Sequence, residues 1–289
     1  MLNQIVIYLS RHFVPVKVFE WLSRLGFVVK SNRLSHIVSQ TLVNKDIILR
    51  NGVGMGIKFN SHDYHPTTAL GTYELPLQEA LLKYLTTDSV VYDIGANVGF
   101  FTVISAKLVG SSGHVYAFEP DPENVEKLKH NIQLNSFANV TILEQAVSCS
   151  TGKGELVLAE YSGSRTLSTT AKSKSQKFRS CPKIPVELVA IDDLVAQQII
   201  APPKVVKIDV EGAELDVLRS MSQTIKEFRP VIIYEIDDPC QKSFLQKQEE
   251  ADAFIKEFAY QIIPLADWYP NIVHYVGHVV AIPSNRDRS

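Results

Sequence analysis

From Val90 onward, short apolar runs rich in β-branched residues alternate with stretches of helical periodicity. That alternation constrains the fold more than any other feature of the chain. Ser89–Ile94, His114–Glu119, Val140–Glu144, Lys204–Asp209 and Pro230–Ile236 read as strands. Phe100–Val109, Ala213–Met221 and Ser243–Phe258 read as helices. Ser89–Ile94 is apolar on both of its alternating faces, as in a strand covered on both sides. Asp121-Pro122 opens a further helix, with Asp121 as N-cap, Pro122 at the first helical position, and Val125, Leu128 and Ile132 on the buried face. Two more strand-like runs lie between Tyr260 and Ile282. Such a pattern builds an α/β fold, a mostly parallel sheet with helices on both faces.

Ahead of this core the pattern changes. Residues 1–30 place Ile5, Leu9 and Phe13, then Val18, Leu22 and Leu25, at helical spacing. Asp46–Arg50 and Gly56–Asn60 flank Gly52 and Gly54, which predicts a β-hairpin. A polar loop, His62–Pro66, follows, and Leu77–Leu85 looks helical just after Pro76. The 289 residues approach the size at which one hydrophobic core stops growing. The expected organisation is an elaboration of helices and hairpin over residues 1–70 on a core domain over 71–289. One stretch inside the core stands apart. Residues 161–185 hold Arg165, Lys172, Lys174, Lys177, Arg179 and Lys183 but no acid, and much of the rest is serine and threonine. This reads as a long basic loop between Leu156–Ala159 and Val186–Val189, two runs that pair as strands; it is either a solvated loop or a lid facing substrate.

Charge and composition exclude some functions. With 31 acids against 29 bases the net charge is -2, so no basic field draws in nucleic acid. The most apolar long stretch, Val90–Val109, contains Asp93 and Lys107 and is broken by Gly95 and Gly99, which does not suit a bilayer span. Arg11, Lys17, Glu20 and Arg24 interrupt the apolar N-terminus, and no small-residue cleavage site follows, so no signal peptide is expected. Cys149, Cys181 and Cys240 are too few and too scattered for a disulfide framework or a zinc knuckle, and a cytoplasmic setting is expected.

In open α/β sheets, ligands bind beyond the carboxyl ends of the strands, where strand order reverses. The first core strand ends in Asp93-Ile-Gly95-Ala-Asn97-Val-Gly99. Glycines there allow a tight turn and close approach of a ligand, and the following helix offers free N–H groups to an anion. The dinucleotide fingerprint wants a glycine where Asn97 stands, and Asp93 would sit badly beside phosphates. Asp93 suits a cationic ammonium or sulfonium, and S-adenosylmethionine carries both. Glu119 ends the second strand, 20 residues after Gly99, where an acid accepts hydrogen bonds from ribose hydroxyls. Lys207 and Asp209 share one face of a later strand, and a lysine there needs a carboxylate partner such as Asp93 or Glu235. Asp209, Glu211 and Glu235 gather on the rim of the expected ligand site, with Asp237 and Asp238 behind them. Such acids serve as general base, as metal ligands or as helix caps. No metal set is assigned; a divalent ion held by Asp209, Glu211 and Glu235 is the competing use of that rim. His62, His65 and His274 read as surface histidines.

Taken together, Asp93-Ile-Gly-Ala-Asn-Val-Gly99, Phe118-Glu-Pro120, Ile191-Asp-Asp-Leu194 and Lys207-Ile-Asp-Val-Glu-Gly-Ala-Glu214 resemble the FkbM family of S-adenosylmethionine-dependent methyltransferases. The resemblance covers residues 70–240, Tyr73-Glu74 included, and departs at Ala190-Ile191, where the family more often has Thr-Leu. It implies a class I methyltransferase (Rossmann-like) fold and O-methylation of a hydroxyl on a sugar, glycan or polyketide-type product. By that resemblance Asp93, Gly95, Asn97, Gly99, Glu119 and Glu74 bind S-adenosylmethionine, and Asp209 and Glu211 are the catalytic residues on the acceptor side. Two other readings stay open: a nicotinamide-dependent oxidoreductase, which has no use for Asp93, and a non-catalytic module of the same fold. The basic stretch at 161–185 suits an acidic acceptor such as a sugar phosphate; neutralising its lysines should raise the acceptor's KM in a salt-dependent way.

Overall fold

The computed structural model describes residues 37–38, 40–62, 65–158, 165–168, 181–266 and 275–284, together with Val18. The helices expected within residues 1–30, the lysines at the centre of the basic stretch and His274 lie outside the described residues. Residues described around Val38–Leu42 are helical and lead into a short antiparallel hairpin, β1 (Ile47–Ile48) and β2 (Lys58–Phe59), where the glycine-flanked runs predicted one. Two helices follow, α1 (Pro66–Leu70) and α2 (Leu75–Tyr84). The second starts two residues before the expected Leu77, because Pro76 sits inside its first turn, where a missing N–H costs nothing.

The alternation from Val90 unfolds as expected: β3 (Val90–Ile94), α3 (Phe100–Val109), β4 (His114–Phe118), α4 (Pro122–Leu134) and β5 (Val140–Leu143). Asp121 caps α4 through its side chain, which accepts from the Glu123 N–H at 2.9 Å. After the insertion come α5 (Ile191–Ala196), β10 (Val205–Ile208), α6 (Glu214–Ser220), α7 (Ser222–Phe228), β11 (Val231–Asp238), α8 (Gln241–Glu257), β12 (Tyr260–Pro264) and β13 (Tyr275–Pro283). The insertion itself carries β6 (Ala146–Val147), β7 (Gly152–Leu158), β8 (Arg165–Leu167) and β9 (Lys183–Val189).

The main sheet has seven strands in the order β12-β13-β11-β10-β3-β4-β5. Every ladder between β5 and β11 is parallel; β13 alone runs against its neighbours. The chain leaves β3 toward β4 and β5 and later returns to β10 on its other side, so strand order reverses between β3 and β10. Alternation along the strands splits the core into two layers. Val91, Val205 and Ile233 face one side with α2, α3, α4 and the hairpin; Tyr92, Val206 and Ile232 face the other with α5–α8. The hairpin's Ile47, Leu49, Ile57 and Phe59 belong to the first of these layers.

The basic stretch is not one uninterrupted loop. Residues 165–167 form β8, which pairs antiparallel with β7, while β7 pairs with β9 as the two flanking runs predicted. The reason lies in Thr166 and Leu167, both buried, which give the stretch an apolar anchor amid polar residues. The resulting small sheet, β6-β9-β7-β8, stands over the carboxyl edge of the main sheet and packs through Ala146, Leu156, Leu167 and Val186 against Ala213.

Candidate active site

The reversal point is built by two turns. After β3 the chain turns at Gly95, whose φ is +78°, and the Gly95 and Ala96 N–H groups both donate to the Phe118 carbonyl at 3.0 Å. After β10 the Asp209 N–H donates to the Ile94 carbonyl at 3.0 Å, which draws the second turn over the first. A Cβ at residue 95 would overlap the Asp209 carbonyl oxygen, so glycine is required there by both backbone angle and space. Asn97 also holds a positive φ, +50°, a conformation that asparagine tolerates better than most residues. Its N–H donates to Glu119 Oε2 at 2.8 Å. Gly99, at φ +88°, begins α3 against the side chain of Leu128.

Between the turns lies a cleft that opens to solvent. Gly95, Asn97, Glu119, Asn124, Asp209 and Glu211 contribute to its lining. Leu156 and Leu167 of the inserted sheet, with Ala146 and Val147, give it an apolar wall. Glu119 is nearly fully buried and holds two backbone donors, Asn97 N–H and Asp121 N–H, at 2.8 and 2.9 Å. Burial pushes its carboxyl up to about 7 against the pull of those hydrogen bonds. Apolar wall, exposed turn backbone and a carboxylate at the second strand's end together suit a nucleoside that bears a charged tail. S-adenosylmethionine fits that description.

Asp93 and Glu74 stand behind the lining, in a buried group of charges assembled by strand register. Lys207 and Asp93 are direct partners across β10 and β3, and Glu235 and His278 are direct partners across β11 and β13. The Lys207 ammonium lies 3.1 Å from Asp93 Oδ1 and 3.4 Å from Asp209 Oδ2 and donates to the Gly95 carbonyl at 2.9 Å. Thr102 donates to the other Asp93 oxygen at 2.5 Å. Asp93 is the partner that a strand lysine was expected to need; Glu235 instead meets His278 Nε2 at 2.5 Å, with Glu74 Oε2 3.4 Å from the same nitrogen. Glu74 caps α2 in the left-handed region, φ 44° and ψ 57°, a costly conformation for this residue.

Burial opposes every charge in this group, and the partners decide the outcome. Despite its burial, His278 is driven up to about 11 by Glu235 and Glu74, so its ring is an imidazolium at neutral pH. Glu235 is pushed up to about 8 by burial and by the nearby Asp209 charge. Asp209 is raised as well, chiefly by burial. Lys207 is held above its ordinary value by Asp93 and Asp209. Among the described residues, Glu74, Glu235 and His278 form the one trio with donor atoms close enough to share a cation. His278 Nε2 and Glu235 Oε2 stand 2.5 Å apart as a close ion pair.

The residues marked by sequence therefore divide. Gly95, Asn97, Glu119, Asp209 and Glu211 meet at the cleft; Asp93 and Glu74 support it from below; Gly99 shapes the start of α3. The Glu211 carbonyl accepts from Thr166 Oγ1 at 2.8 Å, which ties β8 to the rim. His278 was missed. Its signal was the one that found Lys207: an ionisable side chain within an otherwise apolar strand run, Tyr275–Pro283. His62 and His65 are each half-buried, and the His65 ring is held below its ordinary value by burial.

The sheet order, its single antiparallel strand and a cleft at the glycine turn define a class I methyltransferase fold. A family model for the methyltransferase FkbM domain matches residues 93–262, more than half of the chain. The chain belongs to the FkbM methyltransferase family, whose cofactor is S-adenosylmethionine. It is 28% identical over 153 residues to the hexuronic acid methyltransferase AglP of Haloferax volcanii, covering 53% of this chain and 58% of that relative. It is 26% identical over 212 residues to the methyltransferase sdnD of Sordaria araneosa, covering 65% of this chain and 80% of that one. A solved FkbM methyltransferase from Methylobacillus flagellatus superposes with a TM-score of 0.48 at 14% identity, covering 92% of this chain and 58% of the other. No helix among the described residues is long and apolar enough to cross a membrane.

Proposed function

We propose that this chain transfers a methyl group from S-adenosylmethionine to a hydroxyl of a sugar, glycan or polyketide-type acceptor, with Asp209 receiving or orienting the hydroxyl proton. The observation that carries this reading is the position of Asp209. It lines the cleft while its carboxylate touches the buried ammonium of Lys207. When bound, S-adenosylmethionine supplies a methyl group already activated on a sulfonium. The protein's task is alignment, which can supply roughly 7–11 kcal/mol of barrier lowering. Glu119 and the turn at Gly95–Asn97 would fix the nucleoside end, and the apolar wall of the inserted sheet would exclude water from it. An alcohol holds its proton tightly, so a positioned carboxylate adds about 10²–10⁴-fold. Glu211 would stand on the acceptor side of Asp209, its loop held by Thr166.

Support for a sugar acceptor comes from the relative named a hexuronic acid methyltransferase. An acidic sugar also suits the basic residues of 161–185. The test is Asp209→Asn, assayed by release of S-adenosylhomocysteine with a panel of uronic acids, neutral sugars and hydroxylated metabolites. Turnover should fall by about 10²-fold or more while cofactor affinity stays within a few-fold. Full turnover in the variant would remove Asp209 from the reaction.

A further inference from the structure

The β1–β2 hairpin does not line the cleft, yet it is packed into the first core layer. Its second strand has partners along both edges. Toward β1, Phe59 pairs with Ile47 and Lys58 with Ile48. Toward α4 the partners are side-chain amides. Asn135 Oδ1 accepts from the Lys58 N–H at 2.9 Å, and its Nδ2 donates to the Lys58 carbonyl at 2.7 Å. One helical turn earlier, Asn131 Oδ1 accepts from the Asn60 N–H at 2.7 Å, and its Nδ2 donates to the Asn60 carbonyl at 2.9 Å. Residues four apart share a helix face, and alternate residues of a strand turn their polar groups to one edge. The two amides thus stand in for a third strand and dock the hairpin on α4.

The two amides differ in one bond. Asn131 Nδ2 also donates to the Val98 carbonyl, at 2.8 Å. Val98 lies in the glycine turn, between Asn97 at φ +50° and Gly99 at φ +88°. It is buried, and its carbonyl lies ahead of Gly99, whose carbonyl accepts from Val103 N–H at the start of α3. A buried carbonyl outside a helical ladder needs a donor. Asn131 is fully buried, and a single orientation of its amide satisfies one N–H and two carbonyls at once. Resting on the cofactor assignment above, we propose that Asn131 is a positioning residue for the cofactor turn, locking Val98 to the Asn60 backbone so that the hairpin becomes part of the S-adenosylmethionine site.

The lock acts through Asn97. A residue other than glycine keeps a positive φ only where its surroundings fix it. On one side the Asn97 N–H is held by Glu119 Oε2 at 2.8 Å. On the other, the Gly99 N–H donates to the Ala96 carbonyl at 2.8 Å, and Asn131 holds the Val98 carbonyl between them. Asn97 and Glu119 both line the cleft. Without the lock the turn relaxes, and a bound cofactor has to rebuild it at the expense of affinity. Linkage makes the effect reciprocal: a cofactor that holds the turn also holds the Asn60 backbone through Asn131. Asn135 bonds to Lys58 and to the Asn131 carbonyl, so it carries the docking without the lock.

The experiment compares Asn131→Leu with Asn135→Leu in the full chain. Leucine has the branched shape of the amide, and each substitution removes one bridge to β2. Only the first removes the bond to Val98. Thermal unfolding gives Tm, and calorimetric titration with S-adenosylmethionine and S-adenosylhomocysteine, well below the lower Tm, gives Kd. Both variants should unfold at lower temperature. Asn131→Leu should also weaken both ligands by at least about tenfold, while Asn135→Leu stays within about threefold of wild type. Hydrogen exchange on the wild-type protein guards against a variant that does not fold. Saturating S-adenosylhomocysteine should slow exchange of the Asn60 N–H and change that of the Lys58 N–H less. Unchanged affinity in Asn131→Leu, an equal loss in both variants, or exchange at Asn60 indifferent to ligand would overturn the proposal and leave the cofactor assignment standing. Binding of neither ligand by the wild-type protein would overturn the cofactor assignment and the lock with it.

Discussion

Among the described residues Lys207 is the cation paired with both Asp93 and Asp209, and the cost of Lys207→Met can be worked from the structure. The lysine and Asp93 side chains are 3% and 1% exposed, so solvent screens the pair very little. At 3.1 Å and an effective dielectric of about 20 the gross attraction to Asp93 is about 5 kcal/mol. Desolvation of the lysine offsets part of that attraction. What the variant loses is compensation: a carboxylate at Asp93 stays buried, bonded only by neutral donors such as Thr102. Breaking a buried pair on one side typically costs 3–5 kcal/mol. For a protein of this size that corresponds to a fall in Tm of about 6–20 °C. Methionine keeps the apolar length, so the loss is not one of packing. The decisive assay is a double-mutant cycle followed by thermal or urea unfolding. Asp93→Asn in the Lys207→Met background should recover at least about 1.5 kcal/mol, because it removes the orphaned charge. A single variant within about 1 kcal/mol of wild type, or additive effects in the cycle, would show that the pair carries no such charge balance. Lys207→Met should also weaken S-adenosylmethionine binding, since the same ammonium holds the Gly95 carbonyl at 2.9 Å.

Two further outcomes are expected. Gly95→Ala places a Cβ against the Asp209 carbonyl at a φ of +78°; it should lower stability by more than about 1 kcal/mol and abolish cofactor binding measured by calorimetry. Glu119→Gln should behave differently with pH. A carboxyl raised from 4.5 to about 7 in the folded protein costs stability when it ionises, so wild-type stability falls as pH climbs through that window. The amide variant lacks the fall. Relative to wild type it should gain about 3 kcal/mol between pH 4.5 and pH 8 in urea unfolding, and it should lose affinity for S-adenosylmethionine. Parallel stability curves for the two proteins across that range would refute the raised ionisation.

Much of this was legible in the sequence because the signals were local. β-branched runs, the Asp121-Pro122 cap and the glycine turn each act within a few residues, and the elements they predict are present within a residue or two of their expected bounds. Lys207 could be paired with a neighbouring strand's acid because alternation puts it on a known face. Its choice of Asp93 over Glu235 could not be read, since that depends on the register between β10 and β3. His278 was hidden for the same reason: only the antiparallel return of β13 brings it opposite Glu235, and antiparallel pairing of the last strand leaves no mark in its own sequence. The strand within the basic stretch was masked by composition. Two buried residues in three, Thr166 and Leu167, are enough to add an edge strand but too few to show a period.

The carboxyl edge of the sheet is where stability and function pull apart. Glu119, Asp209, Glu214 and Glu235 are all carboxyls that burial pushes upward; the first three lie just beyond the ends of β4 and β10, and Glu235 lies within the second half of β11. A fold selected for stability alone would replace them with apolar groups of similar volume, a change that is often neutral or stabilising. Glu74 adds a strained backbone at the same place. Residues that break local rules together, on one rim, mark a site whose chemistry needs them. The opposite edge of the sheet shows no comparable cluster among the described residues whose ionisation is shifted. What the rim holds is a set of acids with ionisations spread from Glu119 at about 7 to Glu235 at about 8, beside an imidazolium that persists to about 11. Groups poised near neutrality beside a permanent cation can accept a proton at the working pH and give it up again, a capacity that the proposed transfer to a hydroxyl would require.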